Sequence, residues 1–243
     1  AVEAGAEVRE RAPVRALDQD ADGVRLRLAD GSTVRARTVI GADGSSGVTA
    51  RHVGVRYRQV DLGLELEIEV PPEQQERWRR HVLLDWGPLP GSYAWVFPKG
   101  DRLTVGVIAA RGEGERTRDY LRAFVDRLGL ADAPAAHGSG HLTRCRAEDS
   151  PLRHGRVLVV GDAAGLLEPW SREGISYALR SGELAGAAVA EGDLGAYERA
   201  VAERLVPSMR AGHRLLDLFS RRPEAFHGLV ATRPGWRMFV RFC

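Results

Sequence analysis

The chain has 243 residues, 44% of them hydrophobic and 28% charged, which is the composition of a globular protein with a sizeable core. All but one of its 35 basic residues are arginine, Lys99 being the exception, yet 33 acidic residues interleave with them and leave a net charge of +2. That balance argues against a nucleic-acid surface, which gathers basic residues on one face. No apolar run reaches the length of a membrane span, and the first residues do not read as a signal peptide.

Ala1 to Val8 reads as the last turn of a helix followed by a strand, with no initiator methionine, so a fragment of a longer chain is expected. Val24, Leu26 and Leu28 then alternate, Asp30-Gly31 signals a tight turn, and Val34 and Val39-Ile40 resume the apolar pattern. This predicts a hairpin running into a buried strand that stops at Gly41-Ala42-Asp43-Gly44. From Leu62 to Val70 apolar residues alternate with Glu65, Glu67 and Glu69, as in a strand of an antiparallel sheet solvated on one side. Further strands are expected over 81–86, 93–98 and 102–109, with Pro88, Pro90-Gly91 and Gly100-Asp101 turning the chain. Tyr120, Phe124 and Leu128 recur every fourth residue and predict a helix over 115–128. A Gly/Ala/Pro-rich connection follows. Cys145 is expected in a strand as a buried structural thiol. Arg156 to Val160 is a continuous apolar run of the kind found in parallel strands covered on both faces, and it leads through Gly161-Asp162-Ala163-Ala164-Gly165 to a helix over 173–190. From Leu194 onward the pattern is helical.

Two of these strands end in an acidic residue set among small ones: Asp43 with Gly44, and Asp162 with Gly161, Ala163 and Gly165. Small residues let a ligand approach the backbone, and a helix N-terminus favours negative charge. A carboxylate at a strand end accepts a hydrogen bond from a sugar hydroxyl. Taken singly, either motif also suits a plain turn. Tyr93, Trp95 and Phe97 share one face of their strand, where they either wall an apolar tunnel or form the sheet's core. Seven histidines and the two cysteines, Cys145 and Cys243, show no ligand spacing, so no metal site is expected. Ser171, Ser176 and Tyr177 either donate protons or cap and pack the long helix. The stretch from Pro234 to Phe242 mixes aromatics with arginine and suits either a bilayer surface or internal packing. No G-x-G-x-x-G occurs; Gly112-Glu113-Gly114 and Gly138-Ser139-Gly140 lack the third glycine.

The segment Gly161 to Gly165, continuing through Pro169 to Gly174-Ile175, resembles the second FAD signature of the p-hydroxybenzoate-hydroxylase-type flavoproteins. Val39 to Arg51 resembles their Asp-Gly motif, with Gly47 where that group usually has serine. Pro90 to Pro98 fits P-x-x-Y-x-W-x-F-P and, with Lys99 to Val107 after it, resembles the substrate-side motif of geranylgeranyl reductases. The resemblance implies an α/β fold, α+β overall: a partial FAD-binding Rossmann-like domain over 1–52 and 141–193, interrupted by an antiparallel substrate sheet over 53–140, with a helical tail over 194–243. It implies FAD held by Asp43, Gly44, Gly161, Asp162, Ala163, Gly165, Pro169, Gly174 and Ile175, with Asp162 meeting the ribose and the backbone near Gly174 and Ile175 facing the flavin. Tyr93, Trp95, Phe97 and Pro98 fall on the substrate side. The implied reaction is hydride delivery from reduced FAD to carbon–carbon double bonds of a prenyl lipid. NAD(P)H or a reduced carrier would be the electron donor. Two cysteines without a disulfide framework make a reducing cytoplasm the default location, with peripheral membrane contact as the alternative. No residue is assigned as proton donor, and without the glycine-rich turn the chain is expected to hold FAD weakly. Flavin-dependent monooxygenases and halogenases of the same fold would share Asp43, Gly161 and Asp162 but not the Pro90 to Pro98 pattern. A non-catalytic remnant is the other alternative.

Overall fold

A computed structural model describes residues 2–242; Ala1, Cys243 and the side chains of Val240, Arg241 and Phe242 lie outside the described residues. The chain forms two compact units. The first comprises Ala1–Tyr57, Arg146–Leu167 and Gly174–Val206, and the second Arg58–Cys145, Glu168–Glu173 and Pro207–Cys243. The helical tail is therefore shared: residues up to Val206 group with the first unit and the rest with the second.

In the first unit β1 (Val14–Gln19), β2 (Val24–Leu28) and β3 (Thr33–Ala36) form an antiparallel meander, with the anticipated turn at Gly31. β1 escapes the alternation pattern because a register shift between Val14 and Ala16 breaks its period of two. The strand expected near Val8 is absent, and Val2–Ala4 forms only a short 3-10 turn. A second sheet, in the order β10-β11-β4, joins β4 (Val39–Gly41), β10 (Arg153–His154) and β11 (Val157–Val159). β4 and β11 run parallel, Val39 opposite Val157 and Gly41 opposite Val159. β11 is fully buried, as its continuous apolar run requires. β4 stands at the sheet edge and its Ile40 is 38% exposed, so the buried strand expected there is only half covered. Three helices complete the unit: α1 (Val48–Val53), α4 (Ile175–Glu191) and α5 (Leu194–Arg204). The Asp193 carboxylate caps α5 by accepting from the Ala196 N–H. On the same helix, the buried Tyr197 hydroxyl donates to the Val159 carbonyl at 2.7 Å and so fixes the exit of β11.

The second unit is built on a five-stranded sheet in the order β6-β7-β8-β5-β9. Its strands are β5 (Tyr57–Glu69), β6 (Leu83–Trp86), β7 (Tyr93–Lys99), β8 (Arg102–Ala110) and β9 (Ala135–Arg146). After β5 comes α2 (Pro72–Trp78), and α3 (Gly114–Arg127) follows β8. Tyr120, Leu121, Phe124 and Val125 of α3 pack on Ile68, Val96 and Val105 of the sheet, which is the burial that the four-residue recurrence demands. Glu67 points away from that core and pairs with Lys99 at 2.5 Å and Arg102 at 3.4 Å. The remaining helices are α6 (Val206–Arg221), α7 (Pro223–Val230) and α8 (Arg233–Phe242). Phe219, Phe226 and Val230 from α6 and α7 cluster with Trp170 against Trp86 and Phe239. Among the described residues no helix is long and apolar enough to cross a membrane.

Candidate flavin site and apolar pocket

In the first unit β11 runs into a 3-10 turn, Gly161–Ala164, closed by Gly165. Gly161 and Gly165 have φ of 52° and 66°, values that a side chain adopts only with strain. The Gly161 N–H donates to the Ser181 hydroxyl at 2.9 Å, which ties the turn to α4, and Ala163 and Ala164 are fully buried. Asp162 is half-buried, and among the described residues no donor meets its carboxylate. Beside it lies Gly174, which precedes α4: a Cβ there would sit 3.2 Å from Asp162 Oδ1. The helix then opens with Ile175 and Leu179, which are 76% and 71% exposed and lie one turn apart. An uncommitted carboxylate, a backbone cradle that side chains would crowd and an uncovered apolar helix edge fit the ribose, phosphates and ring of FAD.

Asp43 is placed differently. Its carboxylate accepts from the Thr49 N–H at 3.0 Å and from the Thr49 hydroxyl, so it caps α1. The two glycines around it are required by that arrangement. A Cβ on Gly47 would lie 2.0 Å from Asp43 Cγ, and one on Gly41 would lie 2.2 Å from Thr49 Oγ1. Gly44 is open to its surroundings, with φ of 75°. Pro169 belongs to the second unit, where its carbonyl accepts from the Gln59 amide.

In the second unit Tyr93, Trp95 and Phe97 form a continuous row on one face of β7, with ring centroids 5.8 and 6.2 Å apart. The opposite face, Ala94 and Val96, supplies the core. Trp95 lies flat over Gly106 of β8, where a Cβ would fall 2.2 Å from the indole. Tyr93 and Phe97 line an apolar pocket of about 260 Å³ together with Leu84, Trp86, Trp170 and Phe239; Ser171 and Glu173 add its polar groups. Trp95 and Pro98 are not in its lining. Of the other residues singled out, Tyr177 is buried, Ser171 accepts from the Glu173 N–H, and Cys145 is buried with its Sγ 3.8 Å from His213 Nε2. The Tyr120 and Tyr197 phenols are pushed above their usual range, chiefly by burial. The pattern of the sequence did not expose Asp61 and Arg172, which form a buried ion pair in this unit. The one signal was an aspartate near the start of an otherwise apolar-alternating strand.

The strand-turn-helix at Asp162 and the insertion of a separate antiparallel sheet define a flavin-binding fold. The FAD binding domain family matches residues 1–191, and the chain belongs to that family, whose cofactor is FAD. Beyond the family, the sequence is similar to reductases of geranylgeranyl lipids and to a ubiquinone hydroxylase. It is 33% identical over 207 residues to digeranylgeranylglycerophospholipid reductase 2 of Methanopyrus kandleri, covering 79% of this chain and 52% of the relative. It is 31% identical over 239 residues to the ubiquinone hydroxylase UbiL of Rhodospirillum rubrum, covering 94% of this chain and 53% of that one. Among solved structures, a geranylgeranyl bacteriochlorophyll reductase-like protein from Thermoplasma acidophilum shares the fold, with a TM-score of 0.76 at 20% identity over 96% of this chain and 64% of that one. The chain spans about half the length of the relatives it matches.

Proposed function

We propose that the protein containing this chain reduces carbon–carbon double bonds of a prenyl lipid. The observation that carries this reading is the aromatic row of β7 beside an apolar pocket of about 260 Å³. On the scale by which a cavity of about 150 Å³ holds benzene, that is room for about two five-carbon prenyl units. When bound, FAD supplies the hydride. Asp162 is suited to accept from a ribose hydroxyl, while the small residues from Gly161 to Gly165 and Gly174 let the cofactor lie against backbone. Ile175, at the positive end of the α4 dipole, would favour the negative charge that a flavin held there gains on reduction. Tyr93, Phe97, Leu84 and Trp86 exclude water from the chain and hold it in line. The electron donor in this scheme is NAD(P)H or a reduced carrier. Exposed Trp236 and Met238 on α8 offer contact with a membrane surface from the cytoplasm.

The test is anaerobic reoxidation of the reduced full-length flavoprotein by prenyl lipids, after the flavin spectrum of the purified protein has been recorded. A colourless, folded full-length protein that gains no flavin when FAD is added would sink the proposal. A second reading, hydroxylation of a prenylated ring, is favoured by the similarity to UbiL along nearly the whole chain. It predicts stoichiometric oxygen uptake, which the reductase reading forbids.

A further inference from the structure

The loop Glu168–Glu173 contains an arginine in a backbone conformation that arginine disfavours: Arg172 has φ of 59°. Its side chain accounts for the placement. The side chains of Arg172 and Asp61 are 4% and 5% exposed, and Arg172 Nε donates to Asp61 Oδ2 at 3.0 Å. The same guanidinium donates to the Trp170 carbonyl at 2.6 Å and the Gly91 carbonyl at 3.0 Å, and it lies 5.6 Å from the centre of the Tyr93 ring. Gln59 completes the arrangement, donating to Asp61 at 2.6 Å and to the Pro169 carbonyl at 3.0 Å. The loop is also closed on itself. The Glu168 N–H donates to the Glu173 carbonyl, the Arg172 N–H to the Glu168 carbonyl, and the Tyr93 hydroxyl to the Ser171 carbonyl.

The neighbours of Arg172 in the chain, Trp170, Ser171 and Glu173, line the apolar pocket, and Arg172 does not. Burying two charges costs heavily in desolvation, and a buried pair is at best neutral for stability against an apolar substitute. What this pair provides is geometry: a planar fork joining the loop, the segment before β7 and β5 at fixed angles. We infer that Arg172 and Asp61 are positioning residues that fix the Glu168–Glu173 loop as one wall of the apolar pocket, so that an ion pair outside the pocket sets the width it offers a prenyl chain. The inference rests on the prenyl-chain reading of that pocket.

The test uses the full-length protein with Arg172→Gly, Arg172→Lys and Asp61→Asn. Glycine adopts the φ of residue 172 freely, so Arg172→Gly removes the fork while relieving the backbone. Farnesol titrated against the fluorescence of Trp86 and Trp170 should bind about tenfold more weakly in Arg172→Gly and Asp61→Asn, the scale of one lost charged contact. Arg172→Lys should recover part of the loss, since it keeps the charge without the fork. In turnover KM should rise while kcat holds, because the wall orients the substrate and does not react. Wild-type farnesol affinity in Arg172→Gly would overturn the inference. Amide exchange at Trp170 and Ser171, whose N–H groups donate to Glu168, reads the loop without any ligand and should quicken in Arg172→Gly. If the wild-type protein takes up no farnesol, the prenyl reading fails. Amide exchange then decides the positioning role by itself, and unchanged rates would reject it.

Discussion

Replacing Gly47 by alanine should cost more stability when Asp43 is present than when it is absent. The new Cβ would lie 2.0 Å from Asp43 Cγ and within 2.3 Å of both carboxylate oxygens, so the carboxylate must leave Thr49. The loss is that of a helix cap, about 1 kcal/mol, and alanine at the position preceding α1 adds up to about another 1 kcal/mol, because glycine is the better residue there. Gly47→Ala is therefore expected to destabilise by about 1–2 kcal/mol and Asp43→Ala by about 1 kcal/mol. In the double variant the collision has no partner, so the total should stay near that of Gly47→Ala and fall short of the sum by about 1 kcal/mol. Urea unfolding followed by far-ultraviolet circular dichroism measures the cycle. Additive single effects, with coupling under about 0.3 kcal/mol, would show that the carboxylate is not on Thr49.

Four further expectations follow from the same contacts. Asp162→Ala should weaken FAD binding by the value of a hydrogen bond to a charged group, about 10- to 100-fold by equilibrium titration, whereas Asp43→Ala should change it less than about threefold. Tyr197→Phe leaves the Val159 carbonyl without its buried donor and should cost about 1–3 kcal/mol in urea unfolding. Gly106→Ala drives a methyl into the Trp95 indole; a cost of about 1–3 kcal/mol and a changed near-ultraviolet tryptophan signal are expected, and an unaltered signal would contradict the row's geometry. Burial and the neighbouring His154 lower the His52 pKa below its ordinary 6.5. The native state thus favours neutral His52, and the stability tied to this group is complete above pH 6.5 and lost as pH falls through the lower folded value. The acid loss of the urea midpoint should shrink in His52→Asn.

The long periodic elements were legible because their burial is written into residue spacing. β7, β8, α3 and α4 fall within two residues of their expected spans, whereas β5 starts five residues before Leu62, where its alternation begins. α1 and α2, at six and seven residues, are too short for a helical period to show, and β1 is hidden by its register shift. At the candidate site, the position of Asp162 at the end of a buried apolar strand was legible, because that strand is a continuous apolar run. Asp43 sits in a similar motif, but its use depends on a threonine six residues later and on two glycines that only the fold brings against it. Arg172 could not be found from spacing at all, since its partner Asp61 is supplied by tertiary contact.

The parallel pairing of β4 with β11 sets an order of events during folding. Val39 and Val157 meet across more than a hundred residues, whereas β6, β7 and β8 are joined by short turns. Closing so long a loop is entropically expensive before any contact repays it, and local pairings form first. As the chain leaves the ribosome, the β6-β7-β8 meander can assemble while β4 still waits for a partner. The Asp162 turn, which follows β11, then takes shape late, so slow refolding of this protein should appear first as delayed recovery of cofactor binding.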